Sequence, residues 1–193
     1  MKLTQYKQNV RCIGFDDFPF NRNSKHTHIL GTVMRASGYI EGFVYKIIEI
    51  DGLDSTEKII KSIKSRYKDQ LKCIFTHGLT FGGFNVVDSK KIYENLGIPL
   101  IAITKKEPNM ENVKNALMKH FLDWNVRYYI LNIPDKENLK INNGKIFLQY
   151  YGISLEDAEK LIKMFTKSGT IPEPIRISHL IATSIKFGNS KGF

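Results

Sequence analysis

Two adjacent aspartates end the first apolar stretch of the chain, in the run Gly14-Phe15-Asp16-Asp17. Side chains alternate along a strand, so Asp16 and Asp17 are expected to point to opposite faces, and only one of them to line a site. Because acidic residues disfavour strands, a bound metal that compensates for their desolvation is one explanation of the pair. The other explanation is a simple turn that leads into Phe18-Pro19-Phe20.

A second acidic position, Asp51, follows the third apolar stretch in the run Asp51-Gly52-Leu53-Asp54. At the end of a nearby strand, Asp51 could reach a metal shared with Asp16. Asp54 is explained as the cap of the helix that follows. Asp-Gly is also an ordinary turn signal, and a turn without a metal is an equally good interpretation.

A histidine and several glycines follow the fourth apolar stretch, where Thr76-His77-Gly78 continues through Leu79 to Thr80-Phe81-Gly82-Gly83-Phe84-Asn85. This position would bring His77 and Thr80 beside Asp16, and the glycines would let the backbone approach a phosphate or a base. The segment is not a Walker phosphate loop, because no Gly-Lys-Ser/Thr follows. A tight connection between a strand and a helix explains it equally well.

A polar stripe is predicted on the last helix. At helical spacing Arg176, His179 and Thr183 share one face, and the opposite face carries Ile177, Leu180, Ile181 and Ile185. The stripe could bind metal or phosphate, or it could simply be solvated. A lone histidine such as His179 is more often structural than a metal ligand.

The composition favours a soluble protein with a polyanionic partner. The 193 residues carry a formal net charge of +10, and Lys and Arg side chains release condensed counterions when they bind phosphates, so we expect DNA or RNA as the partner. Lysine-rich surfaces also occur in proteins of AT-rich or thermophilic genomes. Met1 to Val10 lacks the apolar stretch of a signal peptide and no run is long enough to span a membrane, so a cytoplasmic location is expected. Cys12 and Cys73 lie in apolar runs and are predicted to be reduced and buried.

One continuous domain over residues 1–193 is predicted, because no repeat or linker-like segment interrupts the sequence. Strands are predicted at Val10–Asp17, His28–Arg35, Gly42–Ile50, Leu71–Thr76, Ile98–Thr104 and Arg127–Ile133. Helices are predicted after the cap Asp54, from Asp88 to Gly97, from Met110 to Phe121, from Ser154 to Lys167, and from Pro174 to Phe187, with a short basic tail after Gly188.

The order of these elements predicts an α/β fold with a mixed sheet. Short connections between the first three strands require an antiparallel meander, and the later alternation of helices and strands implies parallel pairing with right-handed crossovers. A meander continued by parallel strands, with helices on both faces, is the order of the ribonuclease H-like fold. In that fold the first and fourth strands are neighbours, so their carboxyl ends form one site. Other mixed α/β arrangements are alternatives.

Several of these segments together resemble endonuclease V, and more closely its archaeal relatives of unknown function. Gly14-Phe15-Asp16 is similar to the Gly-x-Asp of that enzyme's first strand, whose Asp binds the catalytic Mg²⁺. The segment Ile98–Lys105 resembles its Pro-x-Ile-Gly-Val-Ala-Lys strand, which makes Lys105 the counterpart of an active-site lysine. Pro172–His179 is similar to its Pro-Glu-Pro-x-Arg-x-Ala-His/Asp helix start, which implies a position near the metal for His179. The resemblance to the archaeal relatives includes the Asp51–Asp54 and Gly82–Asp88 runs and covers nearly the whole chain.

The chain also departs from the endonuclease V pattern. The fourth strand of that enzyme ends in Asp-Gly and supplies a second metal carboxylate, whereas the matching pair here is His77-Gly78. The middle Glu of the enzyme has no clear match, and Asp51 is the nearest substitute. Mg²⁺ prefers oxygen ligands and usually more than one carboxylate, so the departure implies catalysis that is weakened, shifted to Mn²⁺, or absent.

The leading hypothesis is a nuclease that depends on Mg²⁺ or Mn²⁺ and acts on deaminated or otherwise non-standard DNA or RNA. Asp16 and Asp51 would hold the metal, His77 and His179 would assist, and Lys105 would offset phosphate charge. Residues expected to contact the nucleic acid are Thr80, Gly82, Gly83, Asn85 and Arg176.

Two other functions compete with this hypothesis. The first is a nucleic-acid-binding protein of the same fold with weak or absent catalysis, which His77 in place of an acid would favour. The second is a protein that binds a small phosphorylated ligand at the glycine-rich segment. The aromatic side chains Phe18, Phe20 and Phe81 would stack on bases or fill the core.

Overall fold

The computed structural model describes residues 7–21 and 23–191. Most of the segment Met1 to Val10, where no signal peptide is expected, and the end of the basic tail after Gly188 lie outside this part of the chain. A short 3-10 turn, Lys7–Asn9, precedes the first strand.

Seven strands of the described residues form one mixed sheet with the order β3-β2-β1-β4-β7-β9-β8. Their bounds are β1 Arg11–Asp17, β2 His26–Arg35, β3 Ile40–Glu49, β4 Leu71–His77, β7 Leu100–Thr104, β8 Asp135–Ile141 and β9 Gly144–Tyr151. Two short strands, β5 Thr80–Phe81 and β6 Asn85–Val86, pair with each other in a separate hairpin. Strands β1, β2 and β3 are antiparallel, whereas β4 is parallel to both β1 and β7. The predicted neighbourhood of the first and fourth strands is therefore confirmed.

Helices cover both faces of the sheet. The first face packs against α1 Ser55–Lys64, α2 Ser89–Leu96, α3 Met110–His120 and α4 Trp124–Asn132, and the second against α5 Leu155–Phe165 and α6 Glu173–Phe187. Asp88 and Ser154 cap α2 and α5 as predicted, each accepting a hydrogen bond from a backbone N–H three residues on. Among the described residues, no helix is both long and apolar enough to cross a membrane.

The start of α1 differs from the prediction. Asp54 occupies the N-cap position, but its side chain makes no capping hydrogen bond to the helix. The side-chain oxygen of Asn85 instead accepts the N–H of Ser55 at 3.0 Å, and Asn85 donates to Asp54 Oδ1 at 2.7 Å. A residue thirty positions away thus caps the helix, which no local pattern could indicate.

The prediction of a strand at Arg127–Ile133 is wrong, because the segment belongs to α4. Alternating Val126, Tyr128 and Ile130 suggest a strand, but the buried residues are Arg127 and Leu131, four positions apart on one helical face. The hairpin of β8 and β9 was not predicted. Most of β8 is exposed and polar and therefore carries no strand-like apolar pattern. Its turn, Asn142-Asn143-Gly144, was an available signal, and Asn142 has a φ of 50°.

Helix α6 lies directly on β1 because Gly14 has no side chain. A Cβ atom at Gly14 would lie 2.5 Å from backbone atoms of Pro174 and Ile175. Ser178 Oγ donates to the Gly14 carbonyl at 2.8 Å. The fully buried positions of the helix are Ile175, Ser178 and Ala182. The most buried face of the helix is therefore not the predicted apolar face of Ile177, Leu180, Ile181 and Ile185, of which Ile185 is 67% exposed.

Candidate active site

Asp16, His77 and His179 meet at the carboxyl end of β1 and are called here the Asp16 cluster. Asp16 is buried, with 2% of its surface exposed, and each of its carboxylate oxygens faces one imidazole. Oδ1 lies 3.2 Å from Nδ1 of His77, and Oδ2 lies 2.8 Å from Nδ1 of His179. The two rings are nearly perpendicular, with centroids 6.4 Å apart. The structure thus brings together three of the residues singled out in the sequence.

Strand register and helix packing together produce this arrangement. Phe15 pairs with Thr76 across the parallel strands, so the next residues, Asp16 and His77, lie side by side and point to the same face. The contact of α6 with Gly14 brings His179 over the same strand end. The cluster therefore depends on Gly14 as much as on its own three side chains.

The two histidines keep Asp16 ionised. Burial is the largest single influence and would raise the pKa of Asp16, but the hydrogen bonds and the electrostatic attraction of His179 and His77 together lower the pKa below its ordinary value. Burial would lower the pKa of His77, but the hydrogen bond and negative charge of Asp16 raise it. An ionised carboxylate only accepts hydrogen bonds, so both Nδ1 atoms donate, and Nε2 is the proton-accepting nitrogen of each neutral ring.

Lys105 lies at the same edge of the sheet, one residue beyond the end of β7, where Ile103 pairs with His77. Burial, which lowers the pKa of His77, and Asp16, which raises it, have the larger effects. The positive charge of Lys105 adds a smaller lowering of that pKa. This electrostatic contact places an exposed cation close to the Asp16 cluster.

A second group of polar contacts lies on the opposite face, around the glycine loop, which is the segment Gly82–Phe84. Asp17 Oδ2 accepts the N–H of Gly82 at 2.7 Å, and Asp51 donates its own N–H to the Gly82 carbonyl at 2.8 Å. Asp51 Oδ1 accepts the N–H of Phe84 at 2.8 Å. A Cβ atom at Gly83 would lie 2.2 Å from Asp51 Oδ1, so only glycine fits there.

Asp16 and Asp51 bind different partners, and the sharing of one metal by these two acids stays a prediction. Asp17 pairs with Ile29 and Ile29 with Lys46, and Asp51 follows Lys46 by five residues, two residues after the end of β3. Its backbone then turns into the left-handed region, with a φ of 58°, and its carboxylate binds the glycine loop. Asp16 and Asp51 thus have different partners, although Gly82 contacts both Asp51 and Asp17, the neighbour of Asp16.

Other predicted nucleic-acid contacts have structural roles. Asn85 is fully buried and its side chain binds Ser55, Glu49 and Asp54, so the expectation that it touches nucleic acid is wrong. Arg176 forms a two-pronged ion pair with Glu173, with its shortest contact at 2.6 Å.

The remaining predicted contacts lie nearer to the surface. Thr80 is half-buried, and Gly83 is exposed whereas Gly82 is buried. Thr80 lines a hollow of about 150 Å³ together with Gly78, Phe84, Thr104 and Met110.

Arg127 is an important residue that the sequence analysis missed. Its Nη1 donates to the carbonyls of Gly52 at 2.9 Å and Phe84 at 2.6 Å, and its Nε donates to Asp123 at 2.9 Å. The guanidinium also lies 4.3 Å from the centroid of Phe121. It therefore joins the loop after β3 to the glycine loop. In the sequence, this role is indicated only by an arginine that interrupts the apolar segment from Val126 to Leu131.

The Asp16 cluster does not fit a resident Mg²⁺ or Mn²⁺ ion. Within residues 7–21 and 23–191, no three His, Cys, Asp or Glu side chains are arranged to hold a metal. Such ions prefer oxygen ligands, and the one carboxylate present is buried with both oxygens paired to imidazoles. The arrangement instead suits proton transfer by a carboxylate-supported histidine.

Comparison with known families decides the relationship. A family model described as Endonuclease dU matches residues 8–186. This chain belongs to the Endonuclease dU family. Its sequence relatives include a UPF0215 protein from Methanothermobacter thermautotrophicus, which is 36% identical over 190 residues, covering 97% of this chain and 93% of the relative. A UPF0215 protein from Pyrococcus furiosus is 38% identical over 191 residues, covering 97% and 98%.

Solved structures show the same fold. A protein of unknown function from Archaeoglobus fulgidus matches with a TM-score of 0.81 and 37% identity, over 91% of this chain and 98% of that chain. Endonuclease V of Ciona intestinalis, solved with a DNA that contains an inosine, matches with a TM-score of 0.58 and 14% identity over 88% and 82%. The ribonuclease H-like fold predicted from the order of elements is therefore confirmed.

Proposed function

We propose that this chain is an endonuclease that cleaves DNA next to a deaminated base, and that deoxyuridine is the base it recognises. The description of its family as Endonuclease dU and the fold shared with endonuclease V support this substrate class. The observation that carries the proposal is the Asp16 cluster, a buried carboxylate that orients two half-exposed histidines at a strand end of a basic protein.

Each residue of the centre has a distinct task in this proposal. Asp16 holds both imidazoles with Nδ1 as the donor, so that Nε2 of one ring accepts a proton from the water whose oxygen bonds to the scissile phosphorus. The bond from phosphorus to the leaving sugar oxygen breaks in the same reaction, and that oxygen takes up a proton from solvent. Lys105 neutralises charge on the scissile phosphate, as the resemblance to endonuclease V implies. If cleavage requires Mg²⁺ or Mn²⁺, Asp16 would be the carboxylate of the cluster that could hold the ion, and phosphate and water would have to supply the other ligands, because the described residues offer no complete set.

The test is cleavage of a labelled DNA strand that carries a single deoxyuridine. Matched strands with thymidine, deoxycytidine or deoxyinosine at that position, and the uridine RNA, define the substrate. Each is incubated with Mg²⁺, with Mn²⁺ and with a chelator. The proposal predicts a break beside deoxyuridine that Asp16→Ala abolishes. No break with the purified protein, or a break that survives Asp16→Ala, would overturn it.

A second candidate function is nucleic-acid binding without catalysis. It is favoured by His77 in the place where endonuclease V has a carboxylate. In this case the protein binds the deoxyuridine strand with steep salt dependence, with no requirement for metal and without cleavage. Binding measured in a chelator over a series of salt concentrations separates the two functions.

A further inference from the structure

A groove of about 250 Å³ lies beside α6 at the β2–β3 side of the sheet. Phe18, His28 and Tyr45 line it, together with Phe20 and Lys186. The chain segments that line the groove also carry residues of the Asp16 cluster. Phe18 follows Asp16 by two residues, and Lys186 lies on the helix that carries His179. The groove has no part in the chemistry assigned to that cluster.

The aromatic rings in the groove form an ordered stack. His28 and Tyr45 are nearly parallel, with an interplanar angle of 16° and centroids 4.9 Å apart. Phe18, which is buried, contacts both rings edge-on with centroids 5.4 and 5.6 Å away. The edge-on contacts of Phe18 therefore hold the pair in place, and Tyr45 remains 51% exposed. A flat, half-exposed ring in a fixed orientation is a surface on which another flat ring can stack.

The charge of the groove favours an anionic ligand. None of the described residues that line it is acidic, whereas Lys186 supplies a positive charge and His26 and His28 supply ring nitrogens that can form hydrogen bonds. A ligand that combines flat rings with negative charge matches both properties, and single-stranded nucleic acid is such a ligand.

Helix α6 connects the groove to the Asp16 cluster. Ile185, which lines the groove, follows His179 by six residues of helix, a rise of about 9 Å. At the spacing of about 3.4 Å per nucleotide found in duplex DNA, this rise equals about three nucleotides, and a more extended single strand would span it with fewer.

We propose that the Tyr45–His28 stack binds an unpaired nucleobase of the strand being cleaved, a few nucleotides from the scissile phosphate. The inference rests on the proposed function only for the identity of that strand. Stacking on Tyr45 would hold the strand in place without reading its sequence, because every base has a flat face.

Binding to two strands that share the same phosphates tests this site. One is a thymidine homopolymer and the other is an abasic strand of equal length, and fluorescence anisotropy in a chelator gives the Kd of each. Base stacking should make the wild-type Kd for the thymidine strand lower by roughly 5- to 150-fold. Tyr45→Ala should lose most of this preference, and Tyr45→Phe, which keeps the ring, should retain it.

Tyr39→Ala is the matched control, because Tyr39 is a similarly exposed tyrosine at the turn between β2 and β3. Equal binding of both strands by the wild type, or an unchanged preference in Tyr45→Ala, overturns the proposal. So does a Tyr45→Ala chain that loses self-association in sedimentation but binds DNA normally, since the groove would then serve a second copy.

Deoxyuridine cleavage by the same variants separates this inference from the proposed function. If the protein prefers the strand with bases through Tyr45 but never cleaves, the endonuclease proposal is refuted and the binding site stands. If the protein cleaves but shows no preference for the strand with bases, the binding site is refuted and the endonuclease proposal stands.

Discussion

Asp16 faces α6 and pairs with two imidazoles, whereas Asp17, the next residue, faces the glycine loop and accepts a backbone N–H from Gly82. Burial would raise the pKa of Asp16, but the hydrogen bonds and the electrostatic attraction of the two histidines together lower it. Burial raises the pKa of Asp17 to about 6, and the N–H of Gly82 reverses only part of that rise. The pKa values of these two neighbouring acids thus shift in opposite directions, because Asp16 has two histidine hydrogen-bond partners whereas the partner of Asp17 is a backbone N–H. The Asp16 cluster can exchange protons, and the Asp17 side of the sheet fixes a loop.

The largest expected effect is a loss of cleavage on the Asp16 side. His179→Ala removes one of the two imidazoles and should lower kcat on the deoxyuridine strand by about 10²- to 10⁴-fold, the usual contribution of a general acid or base. Steady-state rates measure this change. His120→Ala, which removes an exposed histidine of α3, should leave kcat unchanged. Similar rates for the two variants would remove His179 from the catalytic centre.

On the loop side the expected effect is on stability. Arg127→Met leaves the carbonyls of Gly52 and Phe84 without their donor and should lower the free energy of unfolding by about 2–4 kcal/mol. Urea titration measures the loss. Arg66→Met, which removes an exposed arginine near the ring of Tyr67, should change it by less than about 1 kcal/mol. Equal losses would show that Arg127 does not hold the two loops together.

Asp17→Asn should change how stability depends on pH. The folded pKa of about 6 lies above the ordinary 3.8, so the folded chain binds this proton more tightly than the unfolded chain. The contribution of Asp17 to stability therefore falls as the pH rises from 4 to 6, by roughly 3 kcal/mol at most, at about 1.4 kcal/mol per pKa unit. Thermal melts should show that Asp17→Asn lacks this loss, unlike the exposed control Asp69→Asn. Identical pH profiles for Asp17→Asn and wild type would contradict the raised pKa.

The smallest expected effect comes from Asp51→Asn. The amide oxygen can still accept the N–H of Phe84, so kcat should fall less than about tenfold, within the range of one weakened hydrogen bond. Rates on the deoxyuridine strand measure this. A loss as large as that of His179→Ala would mean that Asp51 belongs to the catalytic centre, and the separation of the two regions would be wrong.

The sequence predicts the sheet and the Asp16 cluster well, because both depend on local patterns and strand order. Apolar runs mark most strands of the sheet, and alternation separates Asp16 from Asp17. Neighbouring first and fourth strands then bring His77 to Asp16. The hairpin of β8 and β9 escapes prediction because β8 is polar and exposed, so its pairing depends on β9 instead of on burial.

Contacts between distant segments account for the errors at the site. The position of Asp51 depends on the turn after β3 and on its hydrogen bonds to the glycine loop, which lies about thirty residues later in the chain. Asn85 caps a helix that begins thirty residues earlier in the chain. Arg127 joins two loops that precede it by 75 and 43 residues. Roles of this kind depend on contacts across the fold and cannot be predicted from neighbouring residues in the sequence.

Single-turnover cleavage of the deoxyuridine strand by two variants of nearly unchanged shape, Asp16→Asn and Asp17→Asn, tests the central claim most directly. An amide in place of the Asp16 carboxylate has only one accepting oxygen and cannot accept both Nδ1–H groups, so Asp16→Asn should cleave about 10³-fold more slowly or not at all. Asp17→Asn should stay within about tenfold of wild type, since its oxygen still accepts the Gly82 N–H. Equal rates for the two variants, or the greater loss in Asp17→Asn, would contradict the assignment of catalysis to the Asp16 cluster.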